Sequence, residues 1–208
     1  SQSVAVCADS VDIALTGTVT NATGLAWTTS GTGSISDTAL LAPTYTPSVI
    51  DLLPGNVTLT IVSVGNGLCN PVTTSMQIDF EELPTVDAGT DAVACAESSG
   101  VALNGSITNA TSAFWTSTGT GAFGPDSLDV QATYFPSAAD TVSKSLELVL
   151  TTVTNGICED VSDTMLIDIQ PLPIVNAGDD IAICADTSAV QLEGTITNAL
   201  GGQWSLLD

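Results

Sequence analysis

The chain repeats itself with a period of 88 to 89 residues, and that period bounds the folding units before any local motif is considered. Cys7, Cys95 and Cys184 are spaced by 88 and 89 residues, and Trp27, Trp115 and Trp204 by the same two intervals. Tyr45 and Tyr134 are 89 apart, as are Cys69 and Cys158, and the tryptophan follows the cysteine by 20 positions in every copy. A one-residue slip falls between Trp115 and Tyr134, where GAFGPDSLDVQATYFP is one residue longer than GSISDTALLAPTYTP, as a loop insertion would be. LPTVDAGTD from Leu83 returns as LPIVNAGDD from Leu172, which sets the first copy at 1–83, the second at 84–172 and a truncated third at 173–208. The chain is therefore expected to be a window onto a longer array.

Within a copy the local pattern is that of short strands. VALNGSI alternates apolar residues at Val101, Leu103 and Ile107, SLELVLTTV places Leu146, Leu148 and Leu150 on one face, and TMLIDI does the same for Met165, Ile167 and Ile169. The first copy matches with ALTGTV, VTLTIVSV and SMQIDF, and Thr154-Asn155-Gly156 or Gly65-Asn66-Gly67 supplies a turn. Helix has almost no support, because Thr, Val and Gly dominate the periodic segments. Several strands with one Trp in about 89 residues predict an all-β protein of tandem immunoglobulin-like β-sandwiches. Trp27, Trp115 and Trp204 are then expected on the third strand of each sandwich, filling the space between its sheets.

Composition supports a folded chain with few electrostatic partners. One Lys or Arg stands against 23 Asp and Glu, a formal charge of -22, yet 44% of the residues are hydrophobic. A surface so poor in cations cannot neutralise phosphates, so nucleic acid is excluded, and no apolar run is long enough to insert in a membrane. Divalent cations are the better electrostatic partners. Catalysis is also disfavoured: there is no His, and Lys144 is replaced by Gly55 at the equivalent place, which leaves only carboxylates as general bases. The chain is expected not to be an enzyme.

Cysteines in fixed register read as an oxidising, extracytoplasmic disulfide framework. Two pairings of Cys7, Cys69, Cys95, Cys158 and Cys184 compete. The simpler joins Cys7 to Cys69 and Cys95 to Cys158 within each copy, leaving Cys184 for a partner further along. The other joins Cys7 to Cys158 and staples neighbouring copies. It answers the objection that the two cysteines of one sandwich belong to opposite poles, too far apart for a bond that requires Cα atoms within about 7 Å.

The pattern AG-x-D, Cys, L-x-G, Trp, Y-x-P-S, N-G-x-C and D-x-M/V-x-I resembles the PKD-like and immunoglobulin-like repeats of very large surface proteins in Bacteroidetes, including gliding adhesins of the SprB type. It covers both full copies and the partial third. The resemblance implies export by the type IX secretion system and attachment at the cell surface, with function as an adhesin, gliding thread or prey-catching filament. Its partners would be the other repeats of the same chain, laterally bundled copies, and a target engaged by a distant tip. It also suggests O-linked glycans at Asp-Ser/Thr-apolar sequences, on Ser10, Thr38, Ser127, Thr141 and Thr164; turn chemistry is the alternative for the same residues. No cofactor is expected apart from calcium, for which Asp87, Asp91, Asp179 and Asp180 near the boundaries between copies supply hard oxygens; a solvated acidic turn is the alternative. Two rival functions remain: carbohydrate-binding modules of a secreted multidomain protein, and a self-assembling appendage of bundled copies.

Overall fold

The computed structural model describes every residue except 1, 54, 155, 207 and 208, so Asn155 of the Thr154-Asn155-Gly156 turn lies outside the described residues. The chain divides into two compact units. One comprises Ser1–Val86, Ile107–Ala113 and Thr151–Ser162, and the other comprises Asp87–Ser106, Phe114–Leu150 and Asp163–Asp208.

The first sequence copy folds as β1 (Gln2–Cys7), β2 (Ile13–Ala14), β3 (Gly24–Thr29), β4 (Ser34–Ile35), β5 (Thr44–Thr46), α1 (Val49–Leu52), β6 (Asn56–Val64) and β7 (Thr73–Glu81). Two sheets form, in the orders β1-β7-β6-β3 and β2-β5-β4. Neighbours pair antiparallel except β1, which runs parallel to β7 with Cys7 opposite Glu81. Alternation along the strands gathers Leu25, Trp27, Tyr45, Val57, Leu59, Ile78 and Phe80 into one buried cluster. Trp27 is 2% exposed, and its indole N–H donates to the Leu40 carbonyl at 2.9 Å, so its one polar atom is satisfied inside the sandwich.

The second copy repeats this arrangement as β8 (Thr85–Asp87), β9 (Ala92–Cys95), β10 (Val101–Ala102), β11 (Ser106–Thr108), β12 (Ser112–Ser117), β13 (Ala122–Gly124), β14 (Thr133–Phe135), α2 (Ala138–Ser143), β15 (Ser145–Val153) and β16 (Ser162–Gln170). Its sheets run β12-β15-β16-β9 and β10-β14-β13, with β8 beside β11. β9 is parallel to β16, as β1 is to β7. Leu146, Leu148 and Leu150, with Met165, Ile167 and Ile169, are buried, and Trp115 donates to the Val130 carbonyl at 3.3 Å. In the third copy β17 (Ile174–Asn176) pairs antiparallel with β18 (Thr195–Thr197). Trp204, expected in a third core, is 54% exposed. Among the described residues of 173–208 the strands are β17 and β18, and there are no counterparts of β5, β6 and β7, whose residues share the buried cluster of Trp27 in the first copy.

Two short helices depart from the all-strand expectation, and both exist to seat a buried carboxylate. Ser48 and Ser137 cap α1 and α2 in capping boxes with Asp51 and Asp140, which are 2% and 3% exposed. The Asp51 carboxylate accepts from the backbone N–H groups of Thr32 at 2.6 Å, Gly33 at 2.7 Å and Ser48 at 2.9 Å, and from the Tyr45 hydroxyl at 2.8 Å. Asp140 repeats the cage with Thr120 N–H at 2.8 Å, Ser137 N–H at 2.8 Å and the Tyr134 hydroxyl at 3.0 Å. A Cβ on Gly31 or Gly33 would collide with the Asp51 carboxylate and the Tyr45 hydroxyl, and one on Gly119 or Gly121 would strike the Tyr134 hydroxyl. Gly-Thr-Gly therefore recurs for lack of room. Lys144, the only cation, caps α2 in the left-handed conformation at φ 67°, where Gly55 stands in the first copy at φ 74°.

The cage makes stability depend on acid. Burial by itself would raise the Asp51 carboxyl, but the donors from Ser48, Thr32, Tyr45 and Gly33 outweigh it and bring it from 3.8 down to about 2. Burial opposes and hydrogen bonds likewise lower Asp140, while burial pushes the Tyr45 and Tyr134 hydroxyls up. A folded value below the unfolded one stabilises fully above about pH 4 and is lost as pH falls toward 2, by about 2 kcal/mol for Asp51. Urea unfolding from pH 7 to pH 2 is expected to show this loss, and Asp51→Asn is expected to flatten it; an unchanged acid limb in the variant would assign the loss elsewhere.

Candidate functional site

The chemistry of this chain is concentrated where the end of the first copy meets the Asn109 and Cys158 loops, all within the first compact unit. Cys7 and Cys158 form a disulfide across 151 residues, with Cα atoms 5.0 Å apart, while Cys69, Cys95 and Cys184 are free and exposed. The pairings Cys7–Cys69 and Cys95–Cys158 within each copy are therefore corrected. The parallel pairing of β1 with β7 gives the physical reason. Cys7 sits opposite Glu81 at the end of β7, whereas Cys69 precedes the start of that strand at Thr73. Nine strand residues rise about 30 Å, several times the Cα separation that a disulfide spans. β9 and β16 impose the same separation on Cys95 and Cys158, since Cys95 lies opposite Gln170 and Cys158 precedes Ser162.

Hydrogen bonds surround the bridge. Asn109 adopts the left-handed conformation at φ 53° and its side-chain amide donates to the Leu83 carbonyl at 3.0 Å. Asn tolerates this region because its short polar side chain bonds locally. The Ile157 N–H donates to the Glu81 carboxylate at 3.4 Å, and the Thr85 and Thr108 hydroxyls meet at 2.6 Å. The asparagine clasp recurs in the second compact unit: Asn198, at φ 58°, donates to the Leu172 carbonyl at 2.9 Å. The Leu-Pro segment recurs in the sequence, and an Asn-Ala pair follows each leucine by 26 residues; that shared spacing is the signal that joins them. The two carboxylate cages, absent from the sequence-based expectations, carry a signal too: Tyr and Asp stand six residues apart in both copies.

The carboxylates considered for calcium are spread out and engaged with backbone. Asp87 accepts from the Gly89 N–H at 2.8 Å and Asp91 from the Leu166 N–H at 2.9 Å, while Asp179 and Asp180 are exposed. Among the described residues no group of three or more Asp, Glu, His or Cys side chains is placed to hold a metal ion. The residues considered for O-glycans fall in several settings. Thr38 and Ser127 follow aspartates in Asx turns, and their carbonyls accept the backbone N–H of Trp27 and Trp115 at 2.8 and 2.7 Å. Thr141 lies in α2 with its hydroxyl donating to the Ala138 carbonyl at 2.8 Å, Thr164 is exposed on β16, and Ser10 is half-buried after β1.

No protein-family model matches the chain, and no curated protein matches it. Its architecture is similar to that of extracellular domains 3-5 of Drosophila OTK, at 10% identity and a TM-score of 0.52, over 81% of this chain and 59% of that one. Similarity also extends to protocadherin gamma B2 cadherin domains 3-6, at 12% identity and a TM-score of 0.43, over 84% and 47%. The insect immune protein hemolin follows at 11% identity and a TM-score of 0.46, over 81% and 45%. The chain thus spans about half the length of these solved structures, and the likeness to OTK shows a tandem immunoglobulin-like β-sandwich fold alone.

The clasp predicts an asymmetry between equivalent residues. Asn109→Ala is expected to destabilise by about 1 kcal/mol more than Asn21→Ala, because only Asn109 loses a bond to a leucine carbonyl. Urea midpoints of the two variants test this; equal losses would show the clasp to be energetically silent.

Proposed function

We propose that this chain is a structural stretch of a long extracellular filament or cell-surface adhesin, with repeats at 1–83 and 84–172 and the start of a third at 173–208. The repeats would set the reach of the molecule, and disulfides between them its resistance to extension, in attachment, gliding or prey capture. The observation that carries this reading is the Cys7–Cys158 bridge, which links one sequence repeat to the next. A disulfide of this kind belongs to an oxidising compartment. It also changes how tension travels, because force entering at residue 7 leaves at residue 158 without loading the residues between. The Trp27 and Trp115 cores lie inside that closed loop.

The sequence pattern supports the finer assignment to giant Bacteroidetes surface proteins exported by the type IX system, with recognition left to a distant tip. Lateral bundling of copies is a further expectation, against which the charge of -22 acts unless cations intervene. Among the described residues, no helix is long and apolar enough to cross a membrane. The two exposed large aromatics, Phe135 and Trp204, give little of the aromatic row that a carbohydrate-binding module would use.

Single-molecule stretching of the chain from its two ends tests the mechanical role. Oxidised chains are expected to withhold the length of the 151-residue loop, roughly 500 Å of extended polypeptide, and to release it after reduction. Equal total extension with and without reductant would contradict a tension-bearing bridge.

A further inference from the structure

The first repeat carries the same pole as the second, and among the described residues nothing is seated on it. Thr23 donates through its N–H and hydroxyl to the Val64 carbonyl at 3.1 and 3.3 Å, just as Thr111 does to Val153 at 3.2 and 2.8 Å. Asn21 holds the left-handed conformation of Asn109, at φ 59°, yet its amide makes no hydrogen bond among the described residues. Exposure separates the two poles. Cys158 is 7% exposed and Ile157 50%, whereas Cys69 is free and exposed and Leu68 is fully exposed. Val153 and Val161 are half-buried, but their counterparts Val64 and Val72 are exposed. The opposite pole is duplicated too: Cys95 stands across from Gln170 as Cys7 stands across from Glu81, and it is free.

From this we infer that Cys69 and Cys95 are the two open halves of the staple that Cys7 and Cys158 complete. The Cys69 pole is a docking surface for another repeat of this class, which presents its counterpart of Cys7 and its terminal leucine carbonyl. Cys69 takes the place of Cys158, and Asn21 that of Asn109. Cys95 in turn bonds the Cys158 counterpart of a following repeat. The occupant is identified by the internal precedent: the equivalent surface on the second repeat is covered by residues 7 and 81–83 of the first. Closing each bond removes a proton from each of two thiols and forms one sulfur–sulfur bond. The electron pair passes to a small-molecule disulfide such as oxidised glutathione, which leaves as two thiols. The inference rests on the structural-repeat reading above.

Two extended chains test it, the first containing the full sequence and the second its residues 1–198. In one, a copy of residues 84–177 precedes Ser1. The seven residues Ser1 to Cys7 then replace the seven from Gly89 to Cys95, which keeps the register. In the other, residues 110–172 follow Asn198 and complete the third repeat. After incubation with oxidised glutathione, non-reducing peptide mapping is expected to show Cys69 bonded to the added Cys95 in the first chain, and Cys95 bonded to the added Cys158 in the second. Alkylation of Cys69 under reducing conditions is expected to slow at least about tenfold in the first chain relative to the 208-residue chain. Cys69 and Cys95 remaining free and fast-reacting, in chains that still form Cys7–Cys158, would overturn this inference and leave the structural-repeat reading standing. Absence of Cys7–Cys158 as well would remove both.

Discussion

Strand length governs the connectivity of this protein. In each of the first two repeats the strand that carries the first cysteine, β1 or β9, lies parallel to the last, so its cysteine finishes at the pole where that strand ends, while the second cysteine lies before that strand begins. A bond that tolerates about 7 Å between Cα atoms cannot span a nine-residue strand. The cysteines of one sandwich are thus kept apart by the fold that contains them, and the bond observed runs from one repeat to the next.

That connectivity has thermodynamic consequences that a bond within one sandwich would not have. Closing a loop of 151 residues restricts the unfolded chain by about 5 kcal/mol on the chain-entropy account, against about 4 for the shorter loop between Cys7 and Cys69. It also makes the folding of the two repeats interdependent, because the bridge and the Asn109 clasp hold the end of one against the turns of the other within a single compact unit. The carboxylate cages serve a different purpose. Asp51 and Asp140 each tie a short helix, a tyrosine and a Gly-Thr-Gly turn together, giving each sandwich a polar lock of its own.

Much of this architecture is legible in the sequence because it is periodic. The tryptophans at a spacing of 88 mark equivalent places, and Trp27 and Trp115 are both 2% exposed. Alternating Leu146, Leu148 and Leu150 announce a strand buried on one face. The cages were harder to see, since an Asp in a polar stretch looks solvated and helices of four and six residues leave no periodic signature. Cysteine spacing is symmetric between the two pairings, so only the parallel register of β1 on β7 decides between them, and strand direction is not written in composition. Trp204 shows the limit of reading by analogy: it has the motif of its counterparts but lacks, within these residues, the strands that would cover it.

The repeats of this chain are joined covalently to one another. Non-reducing peptide mapping of the 208-residue chain tests it directly, with pepsin or another acid-compatible protease because tryptic sites are nearly absent. A Cys7–Cys158 cross-link, with Cys69 and Cys95 recovered as thiols, is the predicted result. Recovery of Cys7–Cys69 and Cys95–Cys158 would contradict it, and would make each sandwich a self-contained bead.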